Sequence, residues 1–131
     1  MVTQAILPLM QRSSQSEDKS PSKVVNISAR VGSIDDNKLG GWYSYRMSKA
    51  ALNMFTKTCS IEMKRYNCIV MSIHPGTTDT QLSVPFQKNV IPGKLFPVEY
   101  SVGKMLEVIW SADMASSSGK FVAYDGTEIP F

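Results

Sequence analysis

Three short apolar runs and two longer stretches of periodic apolar positions organise the chain. Lys23-Val24-Val25-Asn26-Ile27, Cys68-Ile69-Val70-Met71-Ser72-Ile73 and Lys120-Phe121-Val122-Ala123-Tyr124 have the length and the flanking loops of strands buried on both faces. Residues 43–65 contain no proline or glycine, and Met47, Ala50, Ala51, Met54, Phe55, Thr58 and Ile61 recur there at three- and four-residue steps. That spacing predicts a long amphipathic helix packed on the sheet. Pro97 opens a second helix to about residue 112, with Val102, Met105, Leu106, Ile109 and Trp110 on its buried side, since proline is tolerated in a first turn.

The remaining segments connect these elements. Val2, Ile6, Leu9 and Met10 are spaced like a helix over residues 2–11, which Pro8 should interrupt unless it lies near an end. Residues 12–22 are rich in Ser, Gln and charge and read as a solvated loop, residues 30–41 as a loop, and the proline-containing stretch 77–96 as an extended loop with room for one helical turn. Asp125-Gly126 closes the last strand as a turn. The alternation of strand, helix, strand, helix, strand predicts parallel β-α-β units, hence an α/β layered sheet of the doubly wound, Rossmann-like type. In such sheets ligands bind beyond the carboxyl ends of the strands, here the loops after Ile27 and Ile73.

Composition narrows the picture. With 43% hydrophobic residues in 131 the chain can build one packed core. Its net charge of +3 is dispersed without a run of like charge, so nucleic acid is not an expected partner. Cys59 and Cys68 have neither a CxxC spacing nor a histidine cluster beside them, which argues for two reduced, packed thiols and against a disulfide framework or a metal site. His74, alone before Pro75-Gly76, is expected to be structural or solvent-facing, not a ligand. No stretch approaches the ~20 apolar residues of a membrane span, and a cytoplasmic location is the default expectation.

Tyr45 and Lys49 are four residues apart and so lie on one face of the long helix, about one turn from each other. A phenol ordinarily titrates near ~10, and a neighbouring cation favours its phenolate, so such a pair can exchange a proton with a carbonyl or alcohol oxygen. By itself this spacing usually marks a solvated helix face; its neighbours change that. Asn26-Ile27-Ser28 ends a strand, Tyr45-Arg46-Met47-Ser48-Lys49-Ala50-Ala51-Leu52 opens the helix, and Pro75-Gly76-Thr77-Thr78-Asp79-Thr80 ends the next strand. In that order these motifs resemble the short-chain dehydrogenase/reductase family. Gly40-Gly41-Trp42-Tyr43-Ser44-Tyr45-Arg46 with Val31-Gly32-Ser33-Ile34 is similar to its C-factor-like, carbonyl-reductase branch.

The resemblance implies roles for individual residues. Tyr45 would be the proton donor to a small carbonyl substrate, or the base toward an alcohol. Lys49 would assist Tyr45 and hydrogen-bond the nicotinamide ribose of NADP or NAD. Pro75, Gly76, the Thr78 backbone and the Thr80 hydroxyl would border the nicotinamide, and Asn26 would sit near the cofactor or tie the loop. The family's substrate serine is replaced by Ala29. Side chains alternate along a strand, so Ser28 points away from where Ala29 points; Ser33, folding back from the loop, is preferred over Ser28 as the substitute. Trp42 and Tyr43 either line the substrate side or pack.

The family's glycine-rich turn before a helix amino terminus, which meets the cofactor pyrophosphate, has no counterpart here. The expectation is that residues 1–131 form the carboxy-terminal portion of a single domain whose cofactor-binding half, roughly a hundred residues at ~30 per β-α-β unit, lies outside this sequence. The first strand would then expose an unpaired edge. Two functions follow: an NAD(P)-dependent oxidoreductase, or a truncated, inactive fragment acting through association with other chains, including a homo-oligomer through the 43–65 helix.

Overall fold

The computed structural model describes residues 2–13, 15 and 20–131; most of the loop expected over 12–22 lies outside them. The elements are α1 (Val2–Ser13), β1 (Ser22–Ile27), α2 (Tyr43–Met63), β2 (Cys68–His74), β3 (Thr77–Thr78), β4 (Leu95–Phe96), α3 (Val98–Ser111) and β5 (Phe121–Ala123). A three-stranded sheet runs in the order β1-β2-β5. Both pairings are parallel, with Val24 opposite Val70 in one and Ile73 opposite Val122 in the other. This is the predicted α/β arrangement.

The central strand explains itself. Cys68, Ile69, Val70, Met71 and Ile73 are almost completely buried, as a run without polar alternation requires when both faces are covered. Burying each such side chain contributes about 1.5–3 kcal/mol relative to exposure. On one face Val24, Cys68 and Val70 pack with Met10 of α1 and Met63 of α2. On the other, Val25, Met71, Ile73 and Val122 pack with Met105 and Val108 of α3 and with Ala112. The carboxy-terminal segment folds back on β5, with Ile129 N–H donating to Phe121 O at 2.8 Å. Among the described residues, no strand flanks the other side of β1, and Ile27 at its end is 49% exposed.

Four expectations need correction. Pro8 lies inside α1 rather than at an end, where its ring removes one helical donor without ending the helix. The apolar stripe of α2 faces away from the sheet: Met47, Met54 and Ile61 are 64%, 68% and 68% exposed, whereas Asn53, Thr56, Ser60 and Met63 are buried. The polar side chains are tolerated beneath the helix because they satisfy one another. Asn26 Nδ2 donates to Thr56 Oγ1 at 2.9 Å, and the Thr56 and Ser72 hydroxyls are 2.8 Å apart. On α3 Ser101 is buried and the half-buried Met105 and Val108 pack against the core beside Ala112, so Met105 faces inward as predicted whereas Val102, Leu106 and Trp110 are exposed. Finally, the 77–96 stretch is tied at its ends, where β3 pairs with β4 in parallel.

Candidate active site

The chain reaches α2 through three consecutive left-handed residues, Gly40, Gly41 and Trp42, at φ 66°, 70° and 52°. No side chain caps the helix at Trp42. Arg46, one turn into α2, holds the turn instead. Its Nε and Nη2 donate to Gly41 O and Gly40 O at 2.9 Å each, and Nη1 donates to Val31 O at 3.1 Å. The planar guanidinium suits this task, because its donors are fixed in a fork.

Tyr45 and Lys49 follow on the first turns of α2, at the carboxyl end of β1. Lys49 Nζ donates to Ile27 O, on the last residue of β1, at 2.9 Å and lies 5.8 Å from the Tyr45 ring centroid. The backbone of Lys49 is fixed by close packing: a Cβ placed on Gly32 would meet Lys49 Cβ at 2.6 Å. Tyr45 is 38% exposed and borders an open cavity of about 460 Å³ lined by Trp42, Tyr43, Ser44, Tyr45 and Phe86. A second cavity, about 550 Å³ between α3 and β5, shares no residue with it.

The serine candidates are both engaged. Ser28 Oγ donates to Asn53 Oδ1 at 2.7 Å, and Asn53 Nδ2 donates in turn to Gly32 O at 3.3 Å. Ser33 Oγ accepts from Asp36 N–H at 3.0 Å within its own loop, and neither hydroxyl is hydrogen-bonded to Tyr45. Ala29 is buried. Asn26 is used between sheet and helix through Thr56.

Beyond β2, the Pro75–Thr80 loop is fastened to α3 by Ser101, a residue the sequence did not single out. Its buried Oγ donates to Pro75 O at 2.7 Å and accepts from Thr78 Oγ1 at 3.2 Å. Gly76 adopts φ 78°, and a Cβ there would strike the Phe96 ring at 2.8 Å, so this position requires glycine. Thr80 N–H donates to Ser83 Oγ at 3.2 Å. His74 is largely enclosed. Burial, reinforced by the nearby Arg30 charge, lowers its pKa to about 4 against the opposing pull of Asp125 and Asp36. Among the described residues no group of three or more His, Cys, Asp or Glu side chains could hold a metal ion, and no helix is long and apolar enough to cross a membrane. Cys59 and Cys68 are free thiols.

Comparison with known proteins places this geometry. Residues 1–90 match the short chain dehydrogenase family model. The chain is 34% identical to the C-signal protein of Myxococcus xanthus over 130 residues, covering 99% of this chain and 70% of that protein. It is 30% identical to an uncharacterized oxidoreductase of Schizosaccharomyces pombe over 140 residues, 53% of that protein. Among solved structures, the carbonyl reductase Sniffer of D. melanogaster superposes with a TM-score of 0.85 at 30% identity, over 98% of this chain and 51% of that one. The NADPH-bound carbonyl reductase from chicken fatty liver superposes with a TM-score of 0.82 at 31% identity, over 98% and 51%. The chain thus spans about half the length of these structures. With the ordered motifs, the parallel sheet and the Tyr45–Lys49 pair in place, the chain belongs to the short-chain dehydrogenase/reductase family.

Proposed function

We propose that this chain carries the catalytic half of a nicotinamide-dependent oxidoreductase that reduces a small carbonyl compound, or oxidises the alcohol in reverse. One observation carries the proposal: the Tyr45 ring borders an open aromatic cavity while Lys49 is held against the end of β1, within reach of the same ring. The donor set suits the nicotinamide end of NADP(H) or NAD(H). Lys49 keeps two N–H groups beyond the one given to Ile27 O, and Pro75, Gly76, the Thr78 backbone and the Thr80 hydroxyl stand at the carboxyl end of β2. When bound, the cofactor supplies or receives the hydride. Tyr45 gives its phenolic proton to the substrate oxygen, and the Lys49 charge stabilises the phenolate left behind. Ser28 has committed its proton to Asn53, whereas Ser33 acts as an acceptor toward Asp36 and keeps its own proton to donate; Ser33 is the better candidate for a second donor. Asn26 serves as a strut to α2. The exposed Met47, Met54 and Ile61 stripe supports pairing with a second copy through α2.

The test is NADPH oxidation by the full-length protein, with its cofactor-binding half, against a panel of small aldehydes and ketones, followed by absorbance. Tyr45→Phe is expected to lower kcat/KM by roughly 10²–10⁴-fold. Turnover unchanged in that variant would refute the mechanism.

A further inference from the structure

Trp42 is the one bulky residue in the three-residue left-handed turn that leads into α2, at φ 52°, ψ 41°. Glycine adopts that conformation at no steric cost, and the two preceding positions use it; a bulky side chain there is an outlier. Backbone outliers of this kind persist where the surroundings over-determine them, and they cluster at functional sites. Arg46 provides the restraint here by holding the carbonyls of Gly40 and Gly41, so the indole is kept at a strained position instead of relaxing away.

The contacts of the indole suggest why. Its ring lies 4.6 Å from Phe86, centroid to centroid and inclined by 46°, and 6.3 Å from the ring of Tyr45. Both distances are within the range of favourable aromatic pairs. Trp42 and Phe86 nevertheless remain 49% and 37% exposed, which leaves apolar ring surface facing the cavity. Of the five residues lining that cavity, four are aromatic, the other is Ser44, and none is charged. Arg46 is not among them. The lining itself offers a carboxylate or phosphate no cation in exchange for its lost hydration, and a short aliphatic group would leave the ring faces wet.

We propose that Trp42 and Phe86 form the specificity-determining wall beside Tyr45, and that the site takes flat, uncharged carbonyl compounds bearing an aromatic ring. The substrate class rests on the assignment of Tyr45 as proton donor; the recognition surface does not.

The experiment measures binding without turnover. Acetophenone, acetone and the anion phenylglyoxylate are titrated against the full chain by saturation-transfer NMR. Acetophenone is expected to bind saturably, and the other two roughly tenfold or more weakly. Trp42→Gly fits the left-handed turn, so it is expected to keep a cooperative thermal transition while weakening acetophenone about tenfold; Phe86→Leu weakens it in the same direction. Trp110→Phe, on the exposed carboxy-terminal turn of α3, is the control and leaves the affinity unchanged. Equal binding of the three compounds, or an acetophenone affinity that survives both Trp42→Gly and Phe86→Leu, overturns the proposal. Acetophenone binding through Trp42 in a full-length protein that oxidises no nicotinamide defeats the catalytic proposal alone. A chain that reduces carbonyls with no aromatic preference defeats this one alone.

Discussion

Replacing Gly32 with alanine tests how the catalytic helix is held. Gly32 ends a short helical turn, Arg30–Gly32, that abuts α2. A Cβ there would stand 2.6 Å from Lys49 Cβ, 2.8 Å from the Lys49 carbonyl carbon and 3.1 Å from Ala50 N. Ordinary carbon contacts are about 3.5–4.0 Å, so the loop and the helix must separate by roughly 1 Å. Two of the three atoms met are backbone, which no rotamer change can move aside. Overpacking of this kind costs about 1–3 kcal/mol. The separation also strains the Asn53 Nδ2 to Gly32 O bond, 3.3 Å long with Asn53 only 2% exposed, and an orphaned buried amide costs about 1–3 kcal/mol more. For a chain of this size the sum corresponds to a fall in Tm on the order of 10 °C, measured by far-ultraviolet circular dichroism. Gly40→Ala is the contrasting variant: nothing lies within 4 Å of its added Cβ, although φ is +66°, so only the backbone penalty of about 1 kcal/mol applies. A Gly32→Ala protein that melts with the parent, or no lower than Gly40→Ala, would refute the close-packing argument.

Other variants probe separate parts of the structure. His74 titrates near about 4 in the folded chain against an ordinary 6.5, so between those values the unfolded chain binds more protons. Stability is full above about pH 6.5 and falls by up to about 3 kcal/mol toward pH 4; urea midpoints at several pH values should show this slope reduced in His74→Gln, and an identical slope would count against it. Ser101→Ala leaves Pro75 O and the Thr78 hydroxyl without their shared partner and should lower stability by about 1–3 kcal/mol, read as a lower urea midpoint at constant m-value. Met54→Lys places a charge on the exposed stripe of α2 and should shift the chain to monomer in light scattering while its far-ultraviolet circular dichroism stays that of the folded chain; an unchanged molar mass removes α2 as the association surface.

Sequence alone determined the order of the three sheet strands and the helices between them, the parallel α/β class and the Tyr45–Lys49 pair, because these depend on local periodicity and short spacings. Strand length and apolar runs follow from burial on both faces, and a four-residue interval on a helix puts two side chains together wherever that helix lies. Tertiary structure decided what packs against what. The apolar stripe of α2 showed an amphipathic helix but not that its polar side covers the sheet, since Thr56 is acceptable there only because Ser72 and Asn26 meet it. The Ser101 link to Pro75 spans 26 residues and the Gly32 approach to Lys49 joins a loop to a helix; neither leaves a periodic trace. The left-handed conformation of Trp42 is also silent in sequence, because it is disfavoured locally and the Arg46 bonds to the preceding Gly40 and Gly41 carbonyls arise only on folding.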